Sequence, residues 1–104
     1  MSISTHVLDA QIGRPAAGVG VVLERQDGDG WTEIAAGVTN ADGRIAPLAN
    51  DTPDATYRVR FDIAGYSPES FYPEVTIVFR VRGGGHHHIP LLLSPFAYST
   101  YRGS

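Results

Sequence analysis

Apolar residues along this chain recur mainly with a period of two, in short runs rich in Val, Ile, Thr and Tyr that are broken by clusters of Gly, Pro, Asn and Asp. Side chains alternate across a strand, so the pattern predicts an all-β domain. Eight strands are expected, over residues 3–9, 18–26, 32–38, 44–47, 56–63, 74–81, 88–93 and 97–102, and that number of short strands points to a sandwich. Asp27-Gly28-Asp29-Gly30 and Asn40-Ala41-Asp42-Gly43 are turn sequences in which glycine supplies positive φ, and they are expected to close the first hairpins. Gly83-Gly84-Gly85 reads as a flexible hairpin tip. One helical turn or two is expected over 67–71, with Ser67 as cap, Pro68 at the first helical position and Glu69 near the positive end.

Residues 19–23 are apolar on both faces, as are residues 75–79 apart from Thr76, so both strands should be central or covered. In the run that follows the glycines, Ile89, Leu91 and Leu93 share one face while His88, Pro90 and Leu92 share the other, and that second face need not be core.

The 104 residues fit a single domain spanning 1–104, with no internal repeat or boundary. A chain of this length buries only about two thirds of its unfolded surface, which makes oligomerisation a reasonable expectation. Cysteine is absent, excluding disulfides, thiolate zinc sites and cysteine nucleophiles. A net charge of -3 and eight Lys plus Arg without a basic run argue against nucleic-acid binding. The longest apolar runs, such as residues 89–93, fall far short of the roughly 20 residues that cross a bilayer as a helix. The opening residues lack a basic segment leading into an apolar stretch, and the chain is expected in the cytoplasm.

Candidate chemistry is confined to four histidines, at 6, 86, 87 and 88, and a handful of arginines, since the carboxylates fall mostly in predicted turns. No Gly-x-Ser-x-Gly and no phosphate-cradling glycine loop is present, so covalent serine chemistry and nucleotide binding recede. His86 and His88 share a strand face with α-carbons about 7 Å apart, but no third ligand stands at a sensible spacing and no metal is expected. A solvated strand entrance suits His86 and His87 better. Taken singly, His6 is an ordinary strand histidine and Arg44 a solvated turn cation.

Those last two readings change with Ser4-Thr5-His6-Val7-Leu8-Asp9, Gly13-Arg14-Pro15-Ala16, Phe71-Tyr72-Pro73-Glu74-Val75, His88-Ile89-Pro90-Leu91-Leu92-Leu93-Ser94-Pro95 and the closing Tyr98-Ser99-Thr100-Tyr101-Arg102-Gly103-Ser104. In that order, end to end, these segments resemble the 5-hydroxyisourate hydrolase branch of the transthyretin-like family. The Tyr-Arg-Gly-Ser ending is the mark that separates those hydrolases from the thyroid-hormone carrier. The resemblance implies two four-stranded sheets, a homotetramer with active sites in clefts at the dimer–dimer interface, 5-hydroxyisourate as substrate, and no cofactor or metal. It also implies an active site of His6, Arg44, His88 and Tyr101, with Ser104 beside them. This chain departs from the family at His87, where an aromatic is usual, and in residues 64–70, shorter than the helix of many relatives.

The implied reaction opens a ring amide with water. His6 or His88 is then the base, as an imidazole accepts protons near neutrality. Arg44 supplies bidentate positive charge for the substrate and the developing oxyanion. Tyr101 offers a donor and a ring face, and Ser104 would orient a histidine or anchor the tail. The alternative is a non-catalytic small-molecule carrier on the same scaffold, expected to lack both histidines, the arginine and the Tyr-Arg-Gly-Ser ending. A structural or adhesive β-module fits composition alone but leaves that ending unexplained.

Overall fold

Short strands make up most of the chain in the computed structural model, which describes residues 2–104. In order they are β1 (Ser2–Asp9), β2 (Arg14–Pro15), β3 (Gly20–Asp27), β4 (Gly30–Val38), β5 (Arg44–Asn50), β6 (Ala55–Asp62), helix α1 (Ile63–Tyr66), β7 (Glu74–Val81), β8 (His86–Ser94) and β9 (Ala97–Thr100). One sheet has the antiparallel order β4-β3-β6-β7. In the other, β1 pairs with β5 and the two-residue β2 on one side and, in parallel, with β8 on the other, while β9 closes the far edge. Two sheets of four principal strands and one short helix are thus as the resemblance implies, with β2 as an unforeseen addition.

The alternation of the sequence is the alternation of burial. Ile3 and Val7 of β1, Val21 and Leu23 of β3, Tyr57, Val59 and Phe61 of β6, and Leu91 of β8 meet between the sheets, each at most 1% exposed. Burying a side chain of this kind is worth about 1.5–3 kcal/mol, so the inward faces fix which side of each strand is left for chemistry. The polar groups that enter this layer are paired. The Tyr57 hydroxyl donates to the Pro53 carbonyl at 2.7 Å, and Thr39 accepts from the Val19 amide and donates to the Ala16 carbonyl.

The helix lies earlier than expected. Asp62 caps it, accepting from the Gly65 amide at 3.1 Å, and Ser67, expected as the cap, instead ends it by donating its amide to the Ile63 carbonyl. A carboxylate at the end of β6 reaches the free amides first, and residues 67–71 keep only a turn. Tyr66 ties the helix to β1, donating to Asp9 at 2.8 Å, and burial, then the Asp9 carboxylate, push its hydroxyl up to about 12.

Three further expectations are corrected. Central placement holds for β3, but β7 is an edge strand with Val78 58% exposed. The Asp27–Gly30 hairpin is as expected, whereas the turn at residues 40–43 carries the chain from β4 in one sheet to β5 in the other. Gly83, Gly84 and Gly85, all with positive φ, likewise form a crossover from β7 to β8 rather than a hairpin tip. Local sequence signals a reversal of direction, but whether the next strand pairs with the last is decided by which sheet needs it.

On the outside of the four-stranded sheet, Glu24 is held by Arg58 at 2.7 Å and Arg60 at 2.9 Å, with Arg58 stacked over Trp31. The Arg58 hydrogen bond, foremost, holds the Glu24 carboxyl below the usual carboxylate range. This buried carboxylate is a structural anion, on the sheet opposite the histidines. Among the described residues, no helix is long and apolar enough to cross a membrane.

Candidate active site

The parallel pairing of β1 with β8 sets Ser2 beside His86, Ser4 beside His88 and His6 beside Pro90, while antiparallel pairing on the other edge of β1 sets His6 opposite Arg44. Because Ile3 and Val7 point inward, the alternate residues Ser2, Ser4 and His6 present one outward face together with His86, His88 and Arg44. Three residues expected to act together thus lie on three adjacent strands. The His6 and His88 rings are 6.5 Å apart between centroids, tilted by 36°.

Arg44 is placed by the turn before it. Asn40 Oδ1 accepts from the Asp42 and Arg44 amides at 2.9 and 3.0 Å, and the buried Gly43 turns with φ 73° while its carbonyl accepts from the Val7 amide. The Asn-x-Asp-Gly sequence therefore both reverses the chain and locks the first residue of β5 against β1.

His88 is half-buried, and its Nδ1 lies 2.7 Å from Ser4 Oγ. Burial, then the positive charge of Arg44, then the His6 and His86 imidazoles lower its pKa below the ordinary 6.5, against a smaller opposing contribution from the Ser4 backbone. The shift favours the neutral imidazole, the form able to take a proton. The Ser4 hydroxyl also lies 2.8 Å from His86 Nε2. The sequence gives Ser4 no role, and it offers His86 only as a metal ligand, set aside for a solvated position. No sequence signal locates them, because their meeting depends on the parallel register of two strands more than eighty residues apart.

The tail folds back over His88. Thr100 donates its hydroxyl to the Pro90 carbonyl at 2.7 Å, and the Gly103 amide donates to the His88 carbonyl at 2.8 Å in an isolated antiparallel bridge. Tyr101 and His88 line a cleft of about 310 Å³ together with Ile77, Phe79, Ile89 and Thr100. His6 and Arg44 do not line that cleft; they stand on the open sheet face beside it. Tyr101 is 60% exposed, and Ser104 is exposed beyond Gly103.

His87, expected to be solvated, is instead 5% exposed on the inward side of β8 with an unpartnered Nδ1, and burial, then Arg102, lower its pKa. His86 is exposed but bonded to Ser2 and Ser4. Strand β8 simply begins two residues earlier than expected, so the period-two alternation already governs these histidines. Among the described residues, no three His, Cys, Asp or Glu side chains are grouped to hold a metal ion.

A sandwich that carries a His–Arg–His face on its β1/β8 sheet, with a tail strapped to one of the histidines, defines a transthyretin-type domain equipped with ionisable groups. The chain belongs to the HIUase/Transthyretin family, whose profile matches residues 3–103. It is 47% identical over 120 aligned residues to the uric acid degradation bifunctional protein TTL of Arabidopsis thaliana, covering 98% of this chain but only 37% of that protein. It is 44% identical to the 5-hydroxyisourate hydrolase of Salmonella dublin, covering 98% of this chain and 80% of the relative. The crystal structure of sea bream transthyretin in complex with thyroxine superposes with a TM-score of 0.93 at 36% identity, covering 99% of this chain and 95% of that one.

Proposed function

We infer that this chain is a 5-hydroxyisourate hydrolase, opening the substrate's ring amide with water to give 2-oxo-4-hydroxy-4-carboxy-5-ureidoimidazoline without metal or organic cofactor. The observation that carries this reading is the placement of His88, whose pKa burial and Arg44 lower, beside an arginine and a second histidine on one face of a sheet. His88 takes a proton from water as the water oxygen bonds to the amide carbon, a contribution of about a hundredfold to ten-thousandfold for a positioned base. Arg44 holds the anionic substrate and the developing oxyanion through its planar fork. His6 lies against the same reacting region, and Tyr101 supplies a donor from the tail. As the tetrahedral intermediate collapses, the carbon–nitrogen bond breaks and the ring nitrogen receives a proton.

Residues 1–104 act in this reading as a single hydrolase domain, four copies of which form a homotetramer. On one subunit the His–Arg–His face is open, and an amide hydrolysis of this kind gains from exclusion of bulk water. Strands β7 and β9 end their sheets with unpaired edges. Beside β9, Phe71, Phe96 and Tyr98 are 65%, 77% and 41% exposed, an aromatic surface suited to an interface between copies. Size-exclusion chromatography with light scattering should give four times the monomer mass; a fully active monomer would refute the assembly.

The test of the activity is the ultraviolet decay of freshly generated 5-hydroxyisourate with and without protein, repeated after exhaustive chelation. Decay faster than the spontaneous rate, unaffected by chelation, is the expected outcome. A small-molecule carrier is the second reading, favoured by the likeness to the thyroxine-bound structure of sea bream transthyretin. Saturable ligand binding with no acceleration of the decay would select it.

A further inference from the structure

A chain of hydrogen bonds leads away from the candidate base, along the sheet to solvent. His88 Nδ1 lies 2.7 Å from Ser4 Oγ, the same oxygen lies 2.8 Å from His86 Nε2, and His86 Nδ1 lies 2.5 Å from Ser2 Oγ. Hydroxyls on β1 and imidazoles on β8 alternate because the two strands run parallel in register, Ser2 with His86 and Ser4 with His88. Ser4 is 2% exposed, so its oxygen meets these two rings rather than water, whereas His86 is exposed. The His86 and His88 rings are stacked at 6.3 Å and 19°.

A serine hydroxyl carries one proton and two lone pairs. Ser4 therefore cannot donate to both imidazoles: when it donates to one, it accepts from the other. When it accepts from His88 Nδ1–H, His88 Nε2 is bare and basic; when it donates to His88 Nδ1, His88 Nε2 carries the proton. The hydroxyl couples the tautomers of two histidines, one at the site and one at the surface.

Hydrolysis of a ring amide needs a proton taken from water as it attacks and one given to the ring nitrogen as it departs. Water gives OH to the carbon and H to the nitrogen, and the resulting acid loses its own proton to solvent. We propose that Ser4 and His86 form a relay that carries a proton from His88 toward solvent as water attacks and returns one as the ring nitrogen is protonated, so that His88 ends each turnover in its basic tautomer. A proton enters at His88 Nε2 as the Nδ1–H bond breaks; Nδ1 hands its proton to Ser4 Oγ, whose own proton passes to His86 Nε2, and His86 releases one from Nδ1 toward Ser2 and water. One proton enters and one leaves, and His88 is left in its Nε2–H tautomer; Nε2 then gives that proton to the departing ring nitrogen while the same transfers run in reverse, which restores the Nδ1–H tautomer with its basic Nε2. Besides His86, the groups around His88 are Arg44 from β5, His6 from β1 and, lining the same cleft, Arg80 from β7, His87 from its own strand, and Tyr101 and Arg102 from the tail. The Arg44 charge disfavours a resting positive charge on His88, so concerted transfer suits the site better than storage of the proton.

The relay rests on the hydrolase reading, and two measurements separate their failures. Long-range proton–nitrogen correlation spectra of the imidazoles need no substrate. They should show His88 averaging between tautomers in the unmodified protein, fixed in one tautomer in Ser4→Ala, and averaging again in Ser4→Thr. A single His88 tautomer that ignores Ser4→Ala would overturn the relay whether or not the protein hydrolyses hydroxyisourate. In kinetics, His86→Gln, a change at an exposed position, should lower kcat about tenfold in dilute buffer, with KM within about twofold, and added imidazole should restore it. Undiminished kcat for His86→Gln in dilute buffer would also overturn the relay while leaving the hydrolase reading intact. If the unmodified protein fails to accelerate the decay, the hydrolase reading falls, and the spectra still decide whether the tautomers are coupled.

Discussion

The α-carbon of Gly103 rests against the imidazole of His88: a methyl group added there would stand 2.5 Å from the ring's Cδ2. Gly103 is not among the glycines with positive φ, so the constraint is space rather than backbone conformation. The amide of the same residue donates to the His88 carbonyl, holding backbone and ring together. Gly103→Ala should therefore displace the ring while leaving the core untouched. A displacement of about 1 Å at a reacting group costs on the order of a hundredfold. Steady-state kinetics beside a thermal melt will check this, the expected outcome being a large loss of kcat/KM with a melting temperature close to that of the parent.

Removing residues 101–104, or changing Tyr101→Phe or Arg44→Lys, should preserve the tetramer and its melt while reducing kcat about tenfold or more. Tyr101, Arg102 and Ser104 are exposed and none belongs to the core cluster. Arg44→Lys keeps the charge and loses the planar fork, so it isolates bidentate geometry from electrostatics. A truncated protein with full turnover and a much earlier melt would reduce the tail to packing.

His87 links stability to pH. Its folded pKa is lowered by burial and by Arg102, so the folded state disfavours protonation while the unfolded chain protonates near the ordinary 6.5. The stabilisation is present above that value and is lost as the pH falls through the lowered folded pKa; His88 contributes with the same sign. His87→Phe removes the buried unpartnered Nδ1 and should melt higher than the parent at about pH 5, with the difference shrinking toward about pH 8. Melts across that range that run parallel for the two proteins would contradict this.

The rate should also fall on the acid side, because a protonated His88 takes no proton from water. Its pKa is lowered, so the acid limb of kcat/KM has its midpoint below 6.5. Arg44 is the second cause of that lowering, after burial. Arg44→Gln is therefore expected to move the midpoint upward while decreasing the plateau rate, two effects of one substitution that a pH–rate profile reads separately. An unmoved midpoint would mean that the Arg44 charge does not reach His88.

By itself the sequence determined the strands and their inward faces, since period-two alternation in Ile89, Leu91 and Leu93 or in Tyr57, Val59 and Phe61 has one way to be buried. The turn at Asp27–Gly30 was equally legible because Gly28, with positive φ, answers a local backbone demand. The candidate residues His6, Arg44, His88, Tyr101 and Ser104 were named only through family resemblance, as a lone histidine or arginine carries no local signature of chemistry. What only the tertiary structure decided is whatever depends on distant segments meeting. The turn at 40–43 and the three glycines cross between sheets, β7 falls at an edge, and Asp62 displaces Ser67 as the helix cap. The meeting of Ser4 with both His86 and His88 belongs to the same class. It arises from the register of two parallel strands, and register is set by burial of their opposite faces, a property of the assembled core that no local stretch of sequence contains.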